Sequence, residues 1–108
     1  MILTNLELEG AWLIEPTYFE DDRGYFSEVY SERELNKHGI NYKFVMDAHS
    51  YNVKKGTLRG IHFQNKPMPQ AKIVRCVSGE IMDVIVDLRK NSPTYKQWVS
   101  VILSKENR

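Results

Sequence analysis

At 108 residues the chain is long enough for one domain with a modest core and too short for two. Fifteen Lys and Arg against fourteen Asp and Glu leave a net charge of +1. That balance removes any global case for nucleic-acid or membrane-surface binding, so anion recognition has to be local. A hydrophobic fraction of 42 % excludes a disordered polyelectrolyte.

A single cysteine, Cys76, rules out an intrachain disulfide framework and fits a reducing compartment. Its neighbours Ile73, Val74 and Val77 mark it as a small packing residue. The first seven residues have neither a basic leader nor a continuous apolar stretch, so no signal peptide is expected. No apolar run reaches membrane-spanning length, and the expected location is the cytoplasm.

In chain order, a short apolar run from Ala11 to Glu15 is stopped by Pro16. Asp21-Asp22-Arg23-Gly24 is a turn signal, and the aromatic run from Tyr25 to Tyr30 follows as a strand. Ser31 can cap a helix, Glu34 completes a capping box, and Gly39 supplies the stop. This leaves about two turns of helix, an accessory rather than a scaffold. Strand signals resume over residues 43–47, 49–53, 57–63, 71–77, 80–88 and 97–103. Turns at Lys54-Lys55-Gly56, Ser78-Gly79 and Asn91-Ser92-Pro93-Thr94 separate several of them. The apolar core of Asp83-Val84-Ile85-Val86-Asp87 suits a strand buried on both sides. Many strands and little helix predict an all-β sandwich or barrel. After Ser104 nothing closes the sheet, so an incomplete barrel with an exposed edge is expected, needing a partner subunit or swapped strands as cover.

Chemistry concentrates in Leu58-Arg59-Gly60-Ile61-His62-Phe63-Gln64 and in Lys72, ten residues after His62. An imidazole is a base that titrates near neutral pH. An ammonium can stabilise an enolate, and an arginine grips phosphate bidentately. The set suits proton removal beside a carbonyl on an anionic substrate. A lysine facing inward from an otherwise apolar strand needs an anionic or polar reason. On an ideal strand Arg59 and His62 point to opposite faces, and Gly60 between them can re-aim the chain through a bulge.

Several longer motifs surround this set: Asp22-Arg23-Gly24-Tyr25-Phe26-Ser27-Glu28, Asp47-Ala48-His49-Ser50, residues 56–64, residues 70–80, residues 83–94 and Trp98-Val99. With them the chain resembles the N-terminal part of the dTDP-4-dehydrorhamnose 3,5-epimerases, sugar-nucleotide enzymes of the cupin superfamily. The resemblance runs from about Pro16 to Arg108. It implies one partial domain over residues 1–108, an all-β jelly roll (double-stranded β-helix, cupin) that is incomplete and carries one short helix. It also implies an isomerase of deoxysugar and dTDP-L-rhamnose biosynthesis, acting on a dTDP-4-keto-6-deoxy sugar at C3 and C5 beside a C4 ketone. The ketone is the electron sink, so no cofactor is implied.

By the same resemblance, His62 is the catalytic base and Lys72 holds the C4 oxyanion. Arg59 and Arg23 would bind the diphosphate and Glu28 the nucleotide, with Met46, Asp47 and Ala48 where the family also contacts the nucleotide. The family commonly has Gln at the Met46 position and Asn at the Ala48 position. Each lost hydrogen bond costs about 1 kcal/mol, so weaker or altered nucleotide binding is expected. Many cupins hold a metal through Gly-x5-His-x-His; here Gln64 replaces the second His, and Met68 or Pro69 stands where a carboxylate belongs. No metal is expected.

The family continues for roughly another half-barrel, which carries the general-acid tyrosine and the aspartate that orients the base. None of Tyr18, Tyr25, Tyr30, Tyr42, Tyr51 and Tyr95 matches that tyrosine, so the 108-residue chain is expected to be impaired. A homodimer with exchanged strands is implied, without nucleic acid or membrane as partner. Two alternatives stay open: a non-catalytic remnant that binds nucleotide sugar or another subunit, and a related 3- or 5-epimerase or ketoisomerase.

Overall fold

The computed structural model describes all residues from Met1 to Arg108. Its elements are β1 (Ile2–Asn5), β2 (Trp12–Glu15), β3 (Tyr18–Asp21), β4 (Gly24–Ser27), α1 (Glu32–Lys37), β5 (Glu80–Val86) and β6 (Trp98–Ser104). The strands form three antiparallel hairpins, β1–β2, β3–β4 and β5–β6, each a separate two-stranded sheet.

Local chemistry explains each hairpin. In β3–β4, Asp21 pairs with Gly24 across a two-residue turn. Asp21 Oδ1 accepts from the Arg23 amide at 2.9 Å, and Gly24 takes φ +128, a conformation open to glycine. The hairpin β5–β6 holds a seven-residue register from Glu80↔Ser104 to Val86↔Trp98. Its connection closes over Asp87, which is 5 % exposed. One Asp87 oxygen accepts from the Arg89 amide and Nε, the other from Arg89 Nη2, Ser92 Oγ and Thr94 Oγ1. A carboxylate this well supplied with donors is far easier to keep ionised, and the Arg89 guanidinium, with Ser92 and Thr94, holds Asp87 well below the usual carboxylate range.

The helix obeys its signals in part. Ser31 Oγ accepts from the Glu34 amide at 3.4 Å. The reciprocal half of the capping box is missing, because the Glu34 carboxylate bonds Lys37 Nζ at 2.8 Å instead. At the other end the amides of Ile40 and Gly39 reach the carbonyls of Leu35 and Asn36, with Gly39 at φ +78. This is a Schellman stop, and its accompanying apolar pair, Leu35 and Ile40, is buried.

Two arginines tie the β5–β6 hairpin to the rest. From its connection Arg89 Nη2 donates to the Glu9 carbonyl, in the loop between β1 and β2, at 2.8 Å. From beyond β6, Arg108 pairs with Glu20 and sits 4.6 and 4.9 Å from the Tyr18 and Tyr25 ring centres. No strand Cα of one hairpin lies within 8 Å of a strand Cα of another. The radius of gyration, 15.3 Å, exceeds the roughly 13 Å of a compact chain this long.

Four expected strands are corrected. Residues 43–47, 49–53, 57–63 and 71–77 form no strand. Residues 41–78 contain one internal backbone hydrogen bond, from Met68 to Asn65. A strand exists only when another strand completes its ladder, and none lies alongside. Val45, Val53 and Leu58 consequently remain more than four-fifths exposed. The strand β5 is not buried on both sides either: Met82, Trp98 and Ile102 share an open face. Conversely β1, for which the sequence raised no expectation, is a strand because β2 lies against it. No helix is long and apolar enough to cross a membrane.

Candidate active site

The candidate residues sit mainly in the segment that lacks regular structure, and that segment is electrically distinct. Residues 37–79 hold eight Lys or Arg and one acid, Asp47. Residues 1–36 hold nine acids and two arginines. The near-neutral total therefore conceals a strongly cationic stretch, the local cluster that anion recognition requires.

His62 is exposed, and its placement depends on Gly60. Gly60 has φ +95, and a Cβ built there would lie 3.1 Å from His62 Nδ1. The positive φ favours glycine, so the chain is re-aimed at this point by a glycine conformation and not by a bulge in a strand. Lys72 is exposed, and its ammonium makes no ion pair. No hydrogen bond joins His62 to Lys72, Arg59, Arg23 or Glu28.

Arg23 is engaged on its own turn: its Nη2 lies 2.5 Å from Asp21 Oδ2, and its Nε 3.1 Å from the same oxygen. That pair lowers the Asp21 pKa and raises that of Arg23. Arg59 is held differently, with Nε donating to Asn52 Oδ1 at 2.7 Å and Nη2 to the Tyr51 carbonyl at 3.2 Å. Glu28, Met46, Asp47 and Ala48 are exposed. Sequence reasoning passed over Asn52 and the crowding of the Gly60 Cβ position by the imidazole. A lone amide between Tyr51 and Val53 was the available signal for the first.

Two open surface hollows lie elsewhere. One, of about 440 Å³, is lined by Asn5, Leu6, Glu7, Trp98, Val99 and Ser100. The other, of about 310 Å³, is lined by Tyr25, Lys105, Glu106 and Arg108. Neither includes His62 or Lys72. No three His, Cys, Asp or Glu side chains converge in a metal-holding group.

A family model described as dTDP-4-dehydrorhamnose 3,5-epimerase matches residues 5–108. The curated dTDP-4-dehydrorhamnose 3,5-epimerase of Methanothermobacter thermautotrophicus is 52 % identical over 101 residues, covering 94 % of this chain and 54 % of the relative. Among solved structures, the Bacillus anthracis epimerase with TDP and PPi bound superposes with a TM-score of 0.94 at 46 % identity, covering 98 % of this chain and 61 % of that one. The Legionella pneumophila epimerase in complex with dTDP-4-keto-L-rhamnose gives 0.92 at 41 % identity, covering 99 % and 56 %. The chain thus spans a little over half the length of the relatives it matches. With ordered motifs, backbone course and family match in agreement, the chain belongs to the dTDP-4-dehydrorhamnose 3,5-epimerase family and has its all-β, cupin-type fold.

Proposed function

We propose that the chain supplies the base and the enolate-stabilising group of a dTDP-4-keto-6-deoxyglucose 3,5-epimerase. The observation that carries this reading is the family match over residues 5–108, which contains His62, Lys72, Arg59, Arg23 and Glu28. The His62 imidazole removes the proton from C3 or C5, the C–H electron pair forms a double bond to C4, and the carbonyl π pair moves onto the C4 oxygen. The Lys72 ammonium donates to that oxyanion, and a proton returns to the carbon. Arg59 contacts the diphosphate with its charge intact, and Arg23 adds hydrogen bonds and little net charge because Asp21 offsets it, while Glu28 and the Met46-Asp47-Ala48 segment meet the nucleotide. Inversion needs a donor on the opposite face, for which the family uses a tyrosine beyond residues 1–108. Removal and same-face return need only the base and the oxyanion partner.

A homodimer with exchanged strands, the assembly that the resemblance implies, would cover exposed apolar side chains such as Val45, Val53 and Leu58. The free thiol of Cys76 fits a cytoplasmic site of action.

Proton NMR of dTDP-4-keto-6-deoxy-D-glucose in heavy water tests the reading. The expected result is deuterium entering at C3 and C5 faster than in buffer, with little inversion. Incorporation at one carbon alone would indicate a 3- or 5-epimerase or a ketoisomerase. No incorporation, with the nucleotide sugar still bound, would leave the non-catalytic binding module, a reading favoured by the openness around His62 and Lys72.

A further inference from the structure

The chain has six arginines, and their partners divide them. Four are matched to carboxylates: Arg23 to Asp21, Arg33 to Glu34, Arg89 to Asp87 and Arg108 to Glu20. Their charge is locally cancelled. Arg75 has no hydrogen-bond or ion-pair partner. Arg59 alone is both held and uncancelled, since its acceptors, the Asn52 side-chain amide oxygen and the Tyr51 carbonyl, are neutral.

The way Arg59 is held matters. A guanidinium presents one edge through Nε and an Nη2 hydrogen, and another through the remaining Nη2 hydrogen and Nη1. Asn52 and Tyr51 take the first edge. The second keeps two parallel N–H groups, the fork that fits a phosphate bidentately. Fixing the first edge also removes rotamer freedom that an exposed arginine would otherwise lose on binding.

We infer that Asn52 is a positioning residue for Arg59, orienting its free edge toward a diphosphate while leaving its charge intact. This rests on the reading of Arg59 as a diphosphate contact. Asn52 touches no reacting atom, and its effect passes through the arginine. Its neutrality is as important as its reach, because a carboxylate in its place would hold the guanidinium equally well and cancel the charge, as Asp21 does for Arg23.

The experiment titrates the full chain with TDP and, separately, with thymidine, following affinity by calorimetry and fold by amide NMR. The variants are Asn52→Ala, Asn52→Asp, Arg59→Gln and the double variant Asn52→Ala/Arg59→Gln. Arg59→Gln is expected to weaken TDP binding about ten- to a hundredfold, the range of a charged hydrogen bond. Asn52→Ala is expected to weaken it about three- to tenfold, as for one ordinary hydrogen bond. Asn52→Asp should weaken it at least as much, although its shape is preserved. Thymidine, which lacks phosphate, should bind all four variants as it binds the parent. The double variant should bind TDP no worse than Arg59→Gln, since Asn52 acts only through Arg59.

Should Asn52→Ala or Asn52→Asp bind TDP like the parent while Arg59→Gln is weakened, the positioning role falls and the diphosphate contact stands. Unchanged binding by Arg59→Gln, or no TDP binding by the parent, would overturn both. A further loss in the double variant would also overturn the role, because Asn52 would then act by another route. Asn52 and Arg59 lie outside every helix and strand, so the hairpin resonances report whether a variant has unfolded.

Discussion

Residues 80–104 and residues 41–79 are both rich in β-branched and aromatic side chains, and only the first stretch forms a ladder. The difference lies in what closes them. Between β5 and β6 the chain turns over a buried carboxylate with five donors, and the register continues past the strands through Lys96 to Asp87 and Asp87 to Gln97. Between residues 41 and 79 the polar holds, Thr57 Oγ1 to the Lys54 carbonyl, Gln64 Nε2 to the Met68 carbonyl and the Arg59 fork on Asn52 and Tyr51, bring no second strand alongside. Strand propensity is permissive, and the connection decides whether a partner is brought alongside. The stretch left open is also the cationic one that carries His62 and Lys72.

The sharpest way to break this division is His62→Ala. If the chemistry lives in the open segment and the order in the clasped hairpin, the variant should lose about 10²- to 10⁴-fold in deuterium exchange at C3 and C5. Its melting temperature should stay that of the parent, since the imidazole makes no hydrogen bond and is exposed. A variant that loses exchange and unfolds together would show that the two regions are not separable.

The sequence carried the division unevenly. Asp21 to Gly24, β2, β4, β5, β6 and α1 were readable because each is specified by neighbours: an Asx turn, a capping serine, a glycine stop. Residues 43–77 read as strands on the same grounds and are not, because alternation reports a tendency while pairing needs a second chain segment. The Asp87 clasp was hidden by the same limit. Two acids bounding an apolar run look like strand ends, and only coordinates place Ser92 and Thr94 over one of them. Glu34 promised a capping box, but Lys37 three residues on offered it an ion pair. The site residues came from ordered motifs, whereas Asn52 emerged only from the way the folded chain holds Arg59.

Leu35→Ala probes a part of the fold that depends on burial instead of on polar closure. Leu35 is 2 % exposed and is one of three buried apolar residues, with Leu8 and Ile40. Truncating a buried leucine costs about 2–5 kcal/mol, which urea denaturation of the helix signal would register. A cost under about 1 kcal/mol would mean that the Schellman stop, and not the apolar pair beneath it, holds α1.

Asp87→Asn sharpens the account of the clasp through pH. The folded-state pKa of Asp87 lies below that of an unfolded aspartate, about 3.9, so its contribution is complete above that value and is lost as the pH falls. The melting temperature of the parent should therefore exceed that of Asp87→Asn at pH 7, and the gap should shrink on acidification below about pH 4. Asp21 and Glu34, also lowered by their cationic partners, titrate alike in both proteins and drop out of the difference. A gap independent of pH would mean that the shape of the side chain, and not its charge, closes the connection.

The smallest effect belongs to Ser31→Ala. The hydroxyl satisfies one of the free amides of the first turn, but at 3.4 Å the bond is long, and Glu34 has already been drawn away to Lys37. Caps are worth about 0.5–2 kcal/mol, and this one should fall near 0.5, measured as lost helical circular dichroism and a small shift in the urea midpoint. Adding Glu34→Gln gives the comparison its finest test. Released from Lys37, the glutamine can reach back to the Ser31 amide and complete the box while Ser31 is present, so the two changes should be non-additive. Strict additivity would show that the ion pair with Lys37 is not what keeps the box half-formed.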